Sequence, residues 1–209
     1  MPSPLQWLTL PYRRYPMASG IVLALLVLFV ALVLPGLLED TPPELDAQGR
    51  TPLTRAAERG DTQAVLAMLD AGTDIDASDG CGWTALMKAA ANGHVGLLDA
   101  LIARGGDLEH RDAAGYTALM VAVVNGEESA TQRLLEAGAK VDVADRDSGW
   151  TALIWAAKDG RLALVERLIE HGADVNHRAL DDTTPLSWAR KGGHDAVVQR
   201  LQTAGASAD

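Results

Sequence analysis

Asp74, Asp76 and Ser78 occupy alternate positions, the spacing with which a calcium-binding loop begins. Such a loop needs a glycine at its sixth position for the sharp turn and a glutamate at its twelfth to grip the ion. Those positions hold Asp79 and Ala85, so the loop cannot close around a cation. The five histidines are His94, His110, His171, His177 and His194. No Gly-x-Ser-x-Gly elbow, His-Glu-x-x-His pair or phosphate-binding loop accompanies them. Cys81, the single cysteine, lies between Gly80 and Gly82 and cannot form an internal disulfide. It reads as a small turn residue; the other reading is a thiol that pairs with a partner in an oxidising compartment. No enzyme, cofactor or metal is expected. The remaining chemistry is that of contact: Trp83, Tyr116 and Trp150 recur at steps of 33 and 34 residues. Tryptophan and tyrosine are the residue types that most often anchor interfaces, because they bury much area at small entropic cost.

Charge narrows the partner. With Arg13 and Arg14 set aside, the segment from residue 39 to 209 holds 16 basic residues against 28 acidic ones, a net charge of −12. Such a surface repels phosphate backbones, so nucleic-acid binding is excluded. The same field disfavours anionic headgroups and favours a protein partner with a basic surface. The identity of that partner and the oligomeric state are not legible in the sequence.

The elements that would position these residues follow a repeat. Thr51-Pro52-Leu53, Thr84-Ala85-Leu86, Thr117-Ala118-Leu119, Thr151-Ala152-Leu153 and Thr184-Pro185-Leu186 are separated by 33, 33, 34 and 33 residues. Glycine precedes the threonine by two positions at Gly49, Gly82, Gly115 and Gly149. Small pairs follow it, Ala56-Ala57, Ala89-Ala90, Ala122-Val123 and Ala156-Ala157, where helices can approach closely. That first helix is expected to stop at Gly60, Gly93, Gly126, Gly160 and Gly193. A second helix carries apolar pairs such as Leu97-Leu98 with Leu101-Ile102, at the three-to-four spacing of one buried stripe. It is expected to end at Gly72, Gly105, Gly138, Gly172 and Gly205.

In this period and turn the sequence resembles the ankyrin-repeat family across residues 46–209. The resemblance implies a mainly α fold: an ankyrin-repeat solenoid, with a helix-turn-helix and a β-hairpin finger in each repeat. The expected repeats are 46–78, 79–111, 112–145, 146–178 and 179–209. It also implies binding through the fingers and the concave face of the first helices. Arg50, Trp83, Tyr116, Trp150 and Thr183 occupy the variable finger position, and the three rings are the expected anchors. Asp112, Asp147 and Asp159 would suit a basic partner, with Asp112 doubling as a turn cap. Trp155 and Trp188, one turn into their first helices, are expected to pack on neighbouring fingers. His110 and His177 would lie about 20 Å apart at about 10 Å per repeat, too far for one metal ion. His94 and His194, at equivalent positions after the helix-ending glycine, are expected to be structural.

Two departures from the family pattern matter. The histidine that usually follows Thr-Pro-Leu is absent; Thr54, Met87, Met120, Ile154 and Ser187 stand there. The stack is therefore expected to lean more on apolar packing. The finger from Val141 to Trp150 carries one extra residue, which predicts an irregular hairpin at Asp145–Ser148 with undisturbed helices. Polar residues in the first and last repeats, such as Arg55, Glu58, Arg190 and Lys191, are expected to make caps.

Before the repeats the composition changes. No charge falls between Arg14 and Glu39, and Ile21 to Leu34 is apolar without a break. As a helix, Ala18 to Leu38 would measure roughly 31 Å, against about 30 Å of hydrocarbon core. This predicts a short cytoplasmic tail over 1–16, a transmembrane signal-anchor helix over 17–38 and a stiff linker over 39–45. A cleaved secretory signal is the competing reading, but the residues after Val30 offer no good pair of small residues for cleavage. Arg13 and Arg14 on the short side, opposite Glu39 and Asp40, put the N-terminus in the cytoplasm and the repeats across the membrane. Arginine outnumbers lysine 14 to 4, which suggests a bacterial genome, an inner-membrane location and a periplasmic repeat domain. The expected function is a membrane-tethered module that recruits or stabilises a protein. The alternatives are an accessory subunit assembled through its membrane helix and a soluble periplasmic protein released by signal cleavage.

Overall fold

The chain divides into two units, Met1–Pro43 and Glu44–Asp209. A computed structural model describes residues 45–207, which belong to the second. The expected membrane segment, with Ala18, Ile21, Leu34 and Leu38, lies outside the described residues, as do Arg13 and Arg14. Among the described residues no helix is long and apolar enough to cross a membrane.

Five helix pairs make up the described part: α1 (Pro52–Glu58) with α2 (Thr62–Asp70), α3 (Ala85–Ala91) with α4 (Val95–Ala103), α5 (Ala118–Asn125) with α6 (Glu128–Glu136), α7 (Ala152–Lys158) with α8 (Leu162–Glu170), and α9 (Pro185–Gly192) with α10 (Asp195–Thr203). First helices run seven or eight residues and second helices nine. Helices of about 10–14 Å are not stable alone in water, so each depends on its neighbours. The odd-numbered helices pack in sequence as one row and the even-numbered ones as a second row behind it.

The repeated threonine explains where the first helices begin. Thr51, Thr84, Thr117 and Thr184 are extended in backbone, and each hydroxyl accepts the amide three residues on, at 3.1, 3.3, 3.4 and 3.2 Å. That satisfies one of the helix's orphan donors. Thr151 is the exception: its buried hydroxyl has no partner. The small pairs are at most 1% exposed, which lets adjacent first helices meet nearly backbone to backbone. Leu97, Leu98, Leu101, Leu134, Leu164 and Leu168 supply the volume from the second row and are equally buried.

The expected β-hairpin fingers contain no strand among the described residues. Each finger is a tight turn. Asp46, Asp79, Asp112 and Ala179 donate to the carbonyl four residues on, at 2.9–3.0 Å. Neighbouring fingers share one backbone bond each: Gly80 to Gly49, Ala113 to Cys81, Arg146 to Ala114 and Leu180 to Ser148. A strand needs several consecutive pairs, and here the chain enters the next helix after one. In the finger with the extra residue the closing bond runs from Asp145 to Trp150, one position wider, while α7 and α8 keep their lengths.

Hydrogen bonds between repeats are also more numerous than the missing histidine led us to expect. The side chains of Asp76, Glu109, Asp142 and Asn176 accept the amides of Asp107, Lys140, Asp174 and Ser207 of the following repeat, at 2.8–3.0 Å. The helix junctions carry a second series. His94 donates to the Glu58 carbonyl, Arg161 to Val124 and His194 to Lys158, at 2.9–3.2 Å. Polar ladders therefore work beside apolar packing, and they lie outside the Thr-x-Leu turn where the family's histidine would stand.

Candidate functional site

The candidate aromatic residues come from two positions per repeat: the last finger residue before the threonine, and the residue four after it. The first holds Arg50, Trp83, Tyr116, Trp150 and Thr183; the second holds Arg55, Lys88, Val121, Trp155 and Trp188. Because first helices stack directly, a finger ring meets the second-position side chain of its own repeat, of the next, or of both. This pairing decides the fate of each ring.

Trp83 is half-buried, and its indole Nε1 donates to Asp112 Oδ2 of the next repeat at 2.9 Å. Asp112 is 6% exposed and accepts the Tyr116 amide with its other oxygen at 2.8 Å, closing its own turn as expected. The Lys88 ammonium lies 4.6 Å from the Trp83 ring centroid and 3.1 Å from Asp79 Oδ2. Tyr116 is tilted against Trp155, with centroids 6.1 Å apart. Burial, and then the carboxylates of Asp145, Asp112 and Asp147, raise its phenol above the ordinary value of 10.0. Trp150 is only 9% exposed, wedged edge-on between Trp155 at 4.7 Å and Trp188 at 4.8 Å. Four rings thus form one continuous cluster from Tyr116 through Trp155 and Trp150 to Trp188. Trp83 stands apart on Asp112.

Lysines cover this cluster. Lys158 lies 5.1 Å from the Trp155 centroid and 5.9 Å from that of Trp150, and Lys191 lies 4.3 Å from Trp188. Each such cation–π contact contributes about 0.5–1 kcal/mol at a part-exposed site. The sequence pointed to Lys191 only as a cap residue and gave Lys158 no role. Trp155–Lys158 and Trp188–Lys191 both have the i, i+3 spacing that brings side chains together on a helix, and that was the available signal.

Arg50 and Asp159, expected at the binding face, sit in local ion pairs. Arg50 is held by Glu58 at 2.6 Å and Asp46 at 2.9 Å, and the bond to Glu58, then that to Asp46, raises its pKa further. Asp159 caps α7 and faces Lys158 at 3.5 Å and Arg161 at 3.7 Å. Asp147 is exposed at the tip of the widened finger. The residues that imitate a calcium loop serve turns: Asp74 accepts the Asp76 amide, and Asp76 joins the ladder to Asp107. His110 and His177 donate to the carbonyls of Gly82 and Gly149, both at 2.9 Å. Cys81 is exposed beside its glycines. Among the described residues no group of three or more His, Cys, Asp and Glu side chains could hold a metal ion.

What this edge offers is contact: aromatic faces and edges, ammonium groups above them, and carboxylates at the finger tips. A family model described as ankyrin repeats (3 copies) matches residues 53–145 and again residues 142–209, which together are more than half of the chain. No curated protein matches it.

Proposed function

We propose a function from one premise: this chain belongs to the ankyrin-repeat family, whose repeats are protein–protein interaction modules. In our reading the chain is a non-enzymatic module that binds a protein through its fingers and first helices. The observation that carries this is the continuous cluster from Tyr116 to Trp188, which spans three repeats along one edge. Holding neighbouring fingers together does not require four large rings in contact; the first two fingers manage with Arg50 and Trp83. The net charge of −12 beyond residue 39 favours a basic partner surface.

We further propose that the apolar run between Ala18 and Leu38 tethers the module to a bacterial inner membrane, with the repeats in the periplasm. Its support is the uncharged stretch between Arg14 and Glu39 and the charge difference across it. Tethering confines module and partner to one thin layer, which raises their effective concentration without new contacts. A mild-detergent pull-down of the full chain from its native membranes tests the function, run beside a Trp83→Ala, Tyr116→Ala variant whose fold is verified by circular dichroism. A protein retained by the natural chain and lost by the folded variant supports the reading, and retention of none refutes it. For the topology, an active alkaline phosphatase fusion at the C-terminus is expected; an inactive one beside a fluorescent green-protein fusion would reverse the orientation.

A further inference from the structure

The tips of the fourth and fifth fingers depart from the rest of the stack in four ways. The fourth is one residue wider, closed from Asp145 to Trp150. In the fifth, Asp182 holds the left-handed conformation at φ 61°, where the four earlier fingers place Gly49, Gly82, Gly115 and Gly149. Leu180, beside it, is 74% exposed, the most exposed large apolar side chain among the described residues. Between these tips lies a cavity of about 240 Å³, lined by Asp147, Ser148, Trp150, Leu180 and Asp181. An aspartate in a conformation suited to glycine stores strain, and such residues concentrate where a binding surface dictates the backbone.

We propose that this cavity receives an arginine side chain of the protein partner; the proposal rests on the interaction reading above and specifies its chemistry. No basic residue lines the cavity. Asp147 makes no hydrogen bond or ion pair with the described residues. Asp181 uses one carboxylate oxygen for the Thr183 amide and hydroxyl, at 3.1 and 2.6 Å, and leaves the other open. Those bonds hold Asp181 below the usual carboxylate range, with Lys191 adding a smaller effect through space. The nearby cations are committed elsewhere: Arg146 to the Ala113 carbonyl, Arg178 to the Asp182 carbonyl and Lys191 to the Trp188 ring. Leu180 and Trp150, which line the cavity, form an apolar wall for an aliphatic stem. Carboxylates on the two facing tips suit the planar fork of a guanidinium better than the point charge of an ammonium.

The test is selection of random displayed peptides on the full chain, followed by affinity measurement with synthetic copies. Selected peptides are expected to share an arginine. Replacing it by citrulline, its neutral isostere, should weaken binding about tenfold, as should Asp147→Asn with Asp181→Asn in the protein. On that double variant the citrulline replacement should cost nothing more. Leu180→Ser should weaken both peptides equally. Selected peptides indifferent to citrulline, or to the double variant, would overturn the arginine site and leave the interaction reading standing. Failure to select any peptide would count against both, and a partner captured by the pull-down would then restore the interaction reading alone.

Discussion

Removal of the Asp112 carboxylate should loosen the contact between the second and third repeats by a calculable amount. The side chain is 6% exposed and accepts two donors, the Trp83 indole N–H at 2.9 Å and the Tyr116 amide at 2.8 Å. Asp112→Ala leaves both without a partner. A stranded donor costs about 1–3 kcal/mol, toward the lower end where it is only half-buried, so about 3 kcal/mol for the two together is a reasonable value. For a domain of this size each kcal/mol lowers Tm by about 2–4 °C, which predicts a fall of about 6–12 °C by circular dichroism. Asp112→Asn separates the two bonds, since an amide has one acceptor for two facing donors. It should cost about half as much, and much less in a Trp83→Phe background, where the indole donor is already gone. The double-mutant cycle isolates that pair. If Asp112→Ala melted within 1 °C of the natural chain, or Asp112→Asn cost the same with and without Trp83, the assignment of Asp112 as a bridge between repeats would be wrong.

Other outcomes follow from the same structure. Asp182→Gly should relieve the left-handed backbone and raise Tm by about 2–4 °C, from about 1 kcal/mol of strain; an unchanged Tm would show that Asp182 is at ease there. Thr84→Val should lose about 1 kcal/mol of capping, whereas Thr151→Val removes only an unpartnered buried hydroxyl and should be neutral or stabilising. Equal losses at the two sites in thermal melts would contradict the capping assignment. Because the folded pKa of Tyr116 is raised, its stabilising contribution should be fully present below pH 10 and disappear as the pH rises through that folded value. Ultraviolet titration against Tyr116→Phe should therefore show one phenol ionising above 10, and ionisation at or below 10 would refute it.

The repeat was legible because its requirements are local. A threonine that caps, a glycine that turns left-handed and a small pair that lets helices touch each demand a particular residue type at a fixed spacing. The ladder from Asp76, Glu109, Asp142 and Asn176 was not legible, since an oxygen acceptor at that place can be a short acid, a long acid or an amide. The rings show the same limit. Trp83, Tyr116 and Trp150 share one position in the repeat, yet the neighbouring second-position residues separate them. Trp83 meets Lys88, whereas Trp150 is enclosed by Trp155 and Trp188. The cavity at Leu180 depends on a wider finger beside an aspartate where the other fingers have glycine, and only folding brings the two together.

The central claim is that the finger and first-helix edge meets a protein. Site-specific photo-crosslinking of the full chain in its native membranes measures this directly. The crosslinker would replace Cys81, Asp147 or Asp181 on the finger tips, and Asp70, Glu136 or Glu170 at the ends of the second helices. The account predicts a discrete protein adduct from the finger positions and none from the second-helix positions. Adducts from the second helices alone, or from neither set, would contradict it.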